Sequence, residues 1–385
     1  SVVLTGVGGG GGGGSLVLAG TNLSAPEVTT YTTGIDNVAI GIGSGDAAIS
    51  SNFNVSIGKN ALGIADSGED NVAIGNSALS LAPSGITGNI AIGQNAGRYS
   101  QSSYAVSIGH MANFDMTTAP KTTSVGFMAG YSLTTGANNT TMGYGSLNLL
   151  TTGEENVAIG AFAAEKMTNK KNNVMVGSWA GRLVNSDHNV YVGHRSGNDK
   201  STGSHNTAIG SYSLYSGAGS YNIAVGVYAL YYGPDGSGNI QIGETNSAGS
   251  QAPVKVITTE NDLLALGTTS TSAAYVNVAW TIVSDARDKT NFHNVPHGLD
   301  FVTKLKPTAY QYKKSRDSSD PNGAVRYGFK AQDILELEGD DSVVVDSTEK
   351  DKLRLNESSL LPILVKALQE LKAEFDEYKK ANGGK

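Results

Sequence analysis

The sequence predicts a mainly β chain: a trimeric parallel β-roll or solenoid of about thirteen short repeats, followed by a small α+β domain that ends in a long oligomerising helix. Two observations predict it. One phrase, clearest as NVAIG at Asn71–Gly75 and Asn156–Gly160, recurs thirteen times between Asn37 and Gly243, and its closing glycines (Gly41, Gly58, Gly75 and onward to Gly243) stand 16 to 18 residues apart. The chain also changes material near Ser284. Residues 1–283 carry 10 Lys/Arg, 16 Asp/Glu and 44 Gly, whereas residues 284–385 carry 17, 18 and 6. These boundaries give four segments: a Gly-rich 1–30, repeats over 31–248, a transition over 249–283 and a charged domain over 284–385.

In the first segment, the Gly8–Gly14 run is followed by no lysine, so it lacks what a phosphate-cradling P-loop needs and reads as a linker or a tightly packed glycine stretch. The chain starts at Ser1 with no signal peptide, which suggests a piece of something longer or a processed product.

Within each repeat the residue before the glycine is apolar (Ile40, Ile74, Val176) and the residue three before it is β-branched (Val38, Val72, Val174). This alternation is that of a very short strand, expected to turn these two side chains inward. The residue between them is usually small (Ala39, Ser56, Ala73), suited to a face that another chain or sheet approaches; Met175, Tyr191 and Gln241 break the rule. Asparagine stands four before the glycine in eleven of thirteen repeats, the exceptions being Ala105 and Thr122. At a strand entrance it can bond local backbone and its neighbour on the next rung. Ala or Ser three after the glycine, in twelve of thirteen repeats, is expected to open a return strand, giving two strands of about five residues per rung. Such a rung buries too little apolar surface to offset its ordering entropy, so several chains are expected to associate side by side.

NVAIGNSAL at Asn71–Leu79 resembles the head repeats of trimeric autotransporter adhesins, over about 210 residues, although the period here is somewhat longer. The resemblance implies left-handed parallel β-rolls trimerised side by side, and it names no ligand.

From Ser284 the chain reads SDARDK, then LDFVTKLKPTAYQY (Leu299–Tyr312), then RYGFKAQDI (Arg326–Ile334), then a helix from about Leu360 to Lys380. Leu361, Leu364, Val365, Leu368, Leu371, Phe375 and Tyr378 form a stripe fit for a bundle or short coiled coil. Ser358 or Ser359 can cap this helix, and Pro362 is tolerated in its first turn. Such a helix would set the register of chains whose rungs are otherwise nearly equivalent.

The order of these segments resembles the intramolecular chaperone domain of phage tailspikes and tail fibres, the self-cleaving peptidase S74 domain first associated with endosialidases. That resemblance implies a domain that drives trimerisation and folding and then cleaves the chain at Ser284–Asp285 or the adjacent bond. It implies Ser284, Lys289 and Asp285 as the catalytic residues, Lys289 being the partner of the serine, with Asp285 and Arg287 completing the motif and expected to position the scissile turn. A lysine dehydrated by burial can serve as a base. A serine hydroxyl reaches the preceding carbonyl through a five-membered ring, whereas attack on its own carbonyl needs a strained four-membered one. His293 and His297 are alternative bases, and Lys330 stands where the family usually has an aliphatic residue.

Other chemistry is thinly represented. A net charge of −7 without a basic cluster argues against nucleic acid, the absence of cysteine removes disulfide and thiolate sites, and no stretch of about 18 apolar residues could span a membrane. No cofactor motif is present. His188, His194 and His205 lack recurring carboxylates, so no metal site is expected. The tyrosines from Tyr191 to Tyr232 could stack on sugars or cap the end of the roll. Asp66, Glu69, Asp70, Glu154 and Glu155 sit at turns and do not form a glycosidase pair.

The expected function is therefore a phage tail fibre or appendage protein, located in the virion after synthesis in the host cytoplasm. Its expected partners are its own copies, other tail proteins and a polysaccharide or protein receptor on the host surface. A polysaccharide-degrading tailspike is the alternative, and a bacterial trimeric adhesin fits less well because the chain ends in a charged helix.

Overall fold

Each NVAIG-type phrase folds as one three-residue strand. A computed structural model describes residues 16–18, 37–45, 50–63, 68–83, 85–199, 202–233, 235–244, 257–268, 271, 277, 284–313, 316–339, 342–348 and 350–383. The chain divides into two units, Ser1–Ser270 and Thr271–Lys385.

The first unit is a parallel β-solenoid. Its strands are β1 (Leu16–Leu18), β2 (Val38–Ile40), β3 (Val55–Ile57), β4 (Val72–Ile74), β5 (Ile90–Ile92), β6 (Val106–Ile108), β7 (Thr123–Val125), β8 (Thr140–Met142), β9 (Val157–Ile159), β10 (Val174–Val176), β11 (Val190–Val192), β12 (Thr207–Ile209), β13 (Ile223–Val225), β14 (Ile240–Ile242) and β15 (Leu264–Leu266). They form a single 15-stranded sheet in sequence order. Equivalent residues pair across rungs, as in Val72↔Ile90, Ala73↔Ala91 and Ile74↔Ile92. The ladder therefore carries one strand before and one after the thirteen expected from the repeat.

The orientation of the strands is the reverse of that expected. The central residue of each strand, small in most, points into the coil and is at most 2% exposed in all thirteen rungs. Its aliphatic neighbours face outward, with Ile92 at 37% and Ile159 at 36% exposure. The coil is narrow, and Ala or Ser fits its interior where Val or Ile would overfill it. Where the central residue is large, space comes from the same rung: a Cβ on Gly197 would lie 2.2 Å from the Tyr191 ring, and one on Gly181 would lie 2.3 Å from the Met175 sulfur.

The expected return strand is also not formed among the described residues. The Ala or Ser three after twelve of the glycines is instead buried in a turn, as at Ala61, Ala78 and Ala163. The closing glycine is required by the geometry of that corner. Gly75 adopts φ +132°, and a Cβ there would sit 2.6 Å from the carbonyl oxygen of Gly93 on the next rung.

Asparagine performs the role its position suggests. The backbone amides of Asn71 and Asn89 donate to the side-chain oxygens of Asn54 and Asn71 at 2.9 and 3.0 Å. A second run continues from Asn139 through Asn239, and Leu263 donates to Asn239. Each side-chain NH2 can also hold a turn carbonyl, as Asn156 holds that of Lys170 at 2.8 Å. The runs are separated at Ala105 and Thr122, and the buried hydroxyl of Thr122 has no partner.

The second unit contains α1 (Leu299–Val302), an antiparallel hairpin of β16 (Thr308–Lys313) and β17 (Pro321–Gly328), α2 (Ala331–Glu338), a short pair β18 (Val345–Asp346) and β19 (Arg354–Leu355), and the 22-residue α3 (Leu360–Ala381). Phe301, Ile334, Val344, Val345, Leu360 and Ile363 form its core. Ser359 precedes α3 without a side-chain capping bond, and Ser358 donates instead to Asn356, so the expected serine cap is replaced by a 3-10 turn over Glu357–Ser359.

Candidate functional site

The segment that opens the charged domain is a single 3-10 turn, Ala286–Asp288, between two extended residues. Asp285 caps it, its carboxylate accepting from the Arg287 amide at 2.9 Å. The Arg287 guanidinium folds back on the same carboxylate: Nε lies 3.1 Å from both oxygens, and a terminal nitrogen lies 2.6 Å from Oδ2. These hydrogen bonds hold the Asp285 carboxyl below the usual carboxylate range. The turn closes through the Asp288 amide to the Asp285 carbonyl and the Lys289 amide to the Ala286 carbonyl.

This reversal returns Lys289 to Ser284. Its Nζ donates to Ser284 Oγ at 2.5 Å. Ser284 and Lys289 are exposed in the single chain, and Val283, which would supply the preceding carbonyl, lies outside the described residues. The two histidines take other contacts: His293 Nδ1 bonds the Asn291 carbonyl at 2.8 Å, and His297 stacks on Phe301 with centroids 4.3 Å apart.

The sequence gives no local sign of how α3 holds the stretch beyond this turn. Lys366 Nζ donates to the Val295 carbonyl at 2.7 Å, and the Leu299 amide donates to Glu370 Oε2 at 2.6 Å. Leu360, Ile363 and Ala367 of α3 are buried, whereas the predicted stripe faces away from this core, with Leu368 at 67% and Phe375 at 50% exposure. Lys330 precedes α2 and lines an open hollow with Tyr310, Phe329, Gln332 and Leu353.

On the solenoid, the tyrosines do not cap an end. Tyr191 is buried inside, and β15 continues the ladder beyond the tyrosine-rich rungs. The others form columns along the outside. Phe127 stacks on Tyr144 with centroids 5.2 Å apart and planes within 6°, and Tyr212 stacks on Tyr228 at 5.0 Å and 7°. Arg195 bridges between Trp179 and Tyr212. In such columns the ring faces are turned toward neighbouring rungs, which leaves mainly edges for a sugar. His188 stacks on His205, whereas His194 packs on Tyr212 in another column. Among the described residues no group of His, Cys, Asp and Glu could hold a metal, and no helix is long and apolar enough to cross a membrane.

No curated protein and no solved structure matches the chain. Residues 284–343 match the peptidase S74 family, described as chaperone of endosialidase, and the segment that opens on Ser284 is a chaperone domain of that kind.

Proposed function

We propose that this chain is a tail-fibre or appendage protein of a phage, a homotrimer whose solenoid presents a host-binding surface and whose C-terminal domain assembles the trimer and then cuts itself away. The observation that carries this reading is the joining of two parts: a solenoid with an outward aliphatic face, and a chaperone domain whose first residue, Ser284, is hydrogen-bonded to Lys289. A narrow coil that keeps Ala inside and Val or Ile outside leaves apolar surface for other copies to cover. The exposed stripe on α3 offers the same kind of surface at the other end of the sequence.

In this reading Lys289 Nζ takes the Ser284 hydroxyl proton, and Oγ attacks the carbonyl carbon of residue 283 through the five-membered ring. The bond from that carbon to the Ser284 nitrogen breaks, the nitrogen takes up the proton from Lys289, and an ester to Oγ remains. Water hydrolyses the ester, leaving a carboxylate on residue 283 and a free hydroxyl and amine on Ser284. An exposed lysine needs dehydration to act as a base, so a neighbouring copy that covered this turn would tie cleavage to assembly. Once the domain is lost, persistence of the solenoid is governed by its unfolding rate.

Expression of wild type beside Ser284→Ala and Lys289→Ala tests the reading by denaturing gel and intact mass. A fragment of residues 284–385 from wild type alone supports it, and an uncleaved wild-type trimer sinks it. A fragment beginning at Asp285 would move the scissile bond by one residue.

A further inference from the structure

We infer that Arg287 is a positioning residue for the cleavage at Ser284, acting by locking Asp285 into the turn that delivers Lys289. The inference rests on the self-cleavage reading above and assigns a task within it. Four residues lie between Ser284 and Lys289, and the turn they form buries no side chain. Packing therefore cannot hold it, and one 3-10 turn has little stability of its own. What holds it is local. Asp285 accepts the Arg287 amide, and the Arg287 guanidinium contacts both oxygens of the same carboxylate.

Occupation of both Asp285 oxygens bears on how that residue works. A carboxylate acting directly on the reaction would address the Ser284 hydroxyl or the Lys289 ammonium, but Lys289 donates to Ser284 and the Asp285 oxygens are turned to Arg287. Asp285 and Arg287 thus form one latch, and the chemistry is left to Ser284 and Lys289. Lysine cannot replace the planar fork, because an ammonium is a point donor. In the single chain the Arg287 side chain is 89% exposed, so its place is open to a small cation from solution before a neighbouring copy covers the turn.

The test measures the first-order rate of self-cleavage in the full-length chain, with trimer formation followed in the same samples by light scattering. Arg287→Ala should assemble and cleave about 1.5- to fivefold more slowly, the scale of one exposed charge pair. Arg287→Lys should fall between it and wild type. Guanidinium chloride at non-denaturing concentration should restore Arg287→Ala beyond an equal ionic strength of sodium chloride, and should not restore Lys289→Ala. Asp285→Asn, which keeps a capping oxygen and loses the charge, should be slow and insensitive to guanidinium.

Arg287→Ala cleaving at the wild-type rate would overturn the inference, as would loss of assembly that guanidinium does not reverse. Absence of cleavage in wild type would instead overturn the self-cleavage reading. The two failures are therefore distinguishable.

Discussion

The backbone amide of Asn71 donates to the side-chain oxygen of Asn54 on the preceding rung at 2.9 Å. Both residues are fully buried, so the bond forms where water cannot substitute for it. Repeated along the solenoid, this link fixes each strand entrance to the one beside it. Removing a member orphans groups on two rungs. Asn156→Ala should cost about 1–3 kcal/mol for each buried group left without a partner, measured by denaturant unfolding.

At Thr122 the same ladder is interrupted. Its hydroxyl is buried and unpartnered. Thr122→Asn should place an acceptor near the Asn139 amide and a donor near the turn that precedes Asn139. The expected gain is about 0.5–1.5 kcal/mol per bond made, seen as a higher melting temperature and slower amide exchange around β7 and β8. An unchanged or lowered melting temperature would show that the site cannot admit the longer amide.

Two glycine substitutions separate close approach from simple turn preference. A Cβ on Gly160 would lie 2.5 Å from the Gly177 backbone, and the residue has φ +134°. A Cβ on Gly323, at φ +81°, would meet nothing within 4 Å. Gly160→Ala should abolish soluble folded protein, while Gly323→Ala should cost about 1 kcal/mol. Circular dichroism and soluble yield decide between them.

The outward stripe of α3 predicts a defect in assembly without a defect in the single-chain fold. Leu368 is 67% exposed in one chain, so Leu368→Asp should leave that fold intact and disperse the oligomer. Light scattering of an isolated variant that remained trimeric would remove α3 from the interface.

Glu165 supplies a pH dependence. Burial raises its carboxyl, but hydrogen bonds from Arg182 and Lys166 and their charges prevail and hold it below the ordinary range. The folded pKa is thus below the unfolded value of about 4.3, and the stabilisation is complete above that value and is lost as pH falls through the folded pKa. Glu165→Gln should lower stability by about 1 kcal/mol at pH 7, and the difference should vanish in acid.

Much of this fold is legible in the sequence because its geometry repeats. The glycine column has a steric cause at every rung, so its period places thirteen strands correctly. Alternation alone does not say which parity faces inward. Side-chain size decides that: Ala73 fits inside the coil, while Val72 and Ile74 are left outside. The strands at Leu16–Leu18 and Leu264–Leu266 lack the phrase and its spacing, which is why periodicity passes over them.

The contact between Lys289 and Ser284 is similarly local, since a single turn brings the two together. The grip of Lys366 and Glu370 on the Val295–Leu299 stretch spans 71 residues in each case, and tertiary packing alone creates it.

The stacked glycine corners make the solenoid a ruler. Each rung advances by the spacing of neighbouring strands, about 4.8 Å, and ends at a corner that accepts only the next such corner. Length can therefore change only in whole graduations. Excising Asn156–Asn172 would bring Asn173 to the place of Asn156 and shorten the sheet by one step, whereas removing half that stretch would break the 16- to 18-residue spacing that sets one corner over the next. Reach along the strand-stacking direction is in this sense written digitally, as a count of phrases, and could be lengthened by duplicating a whole phrase.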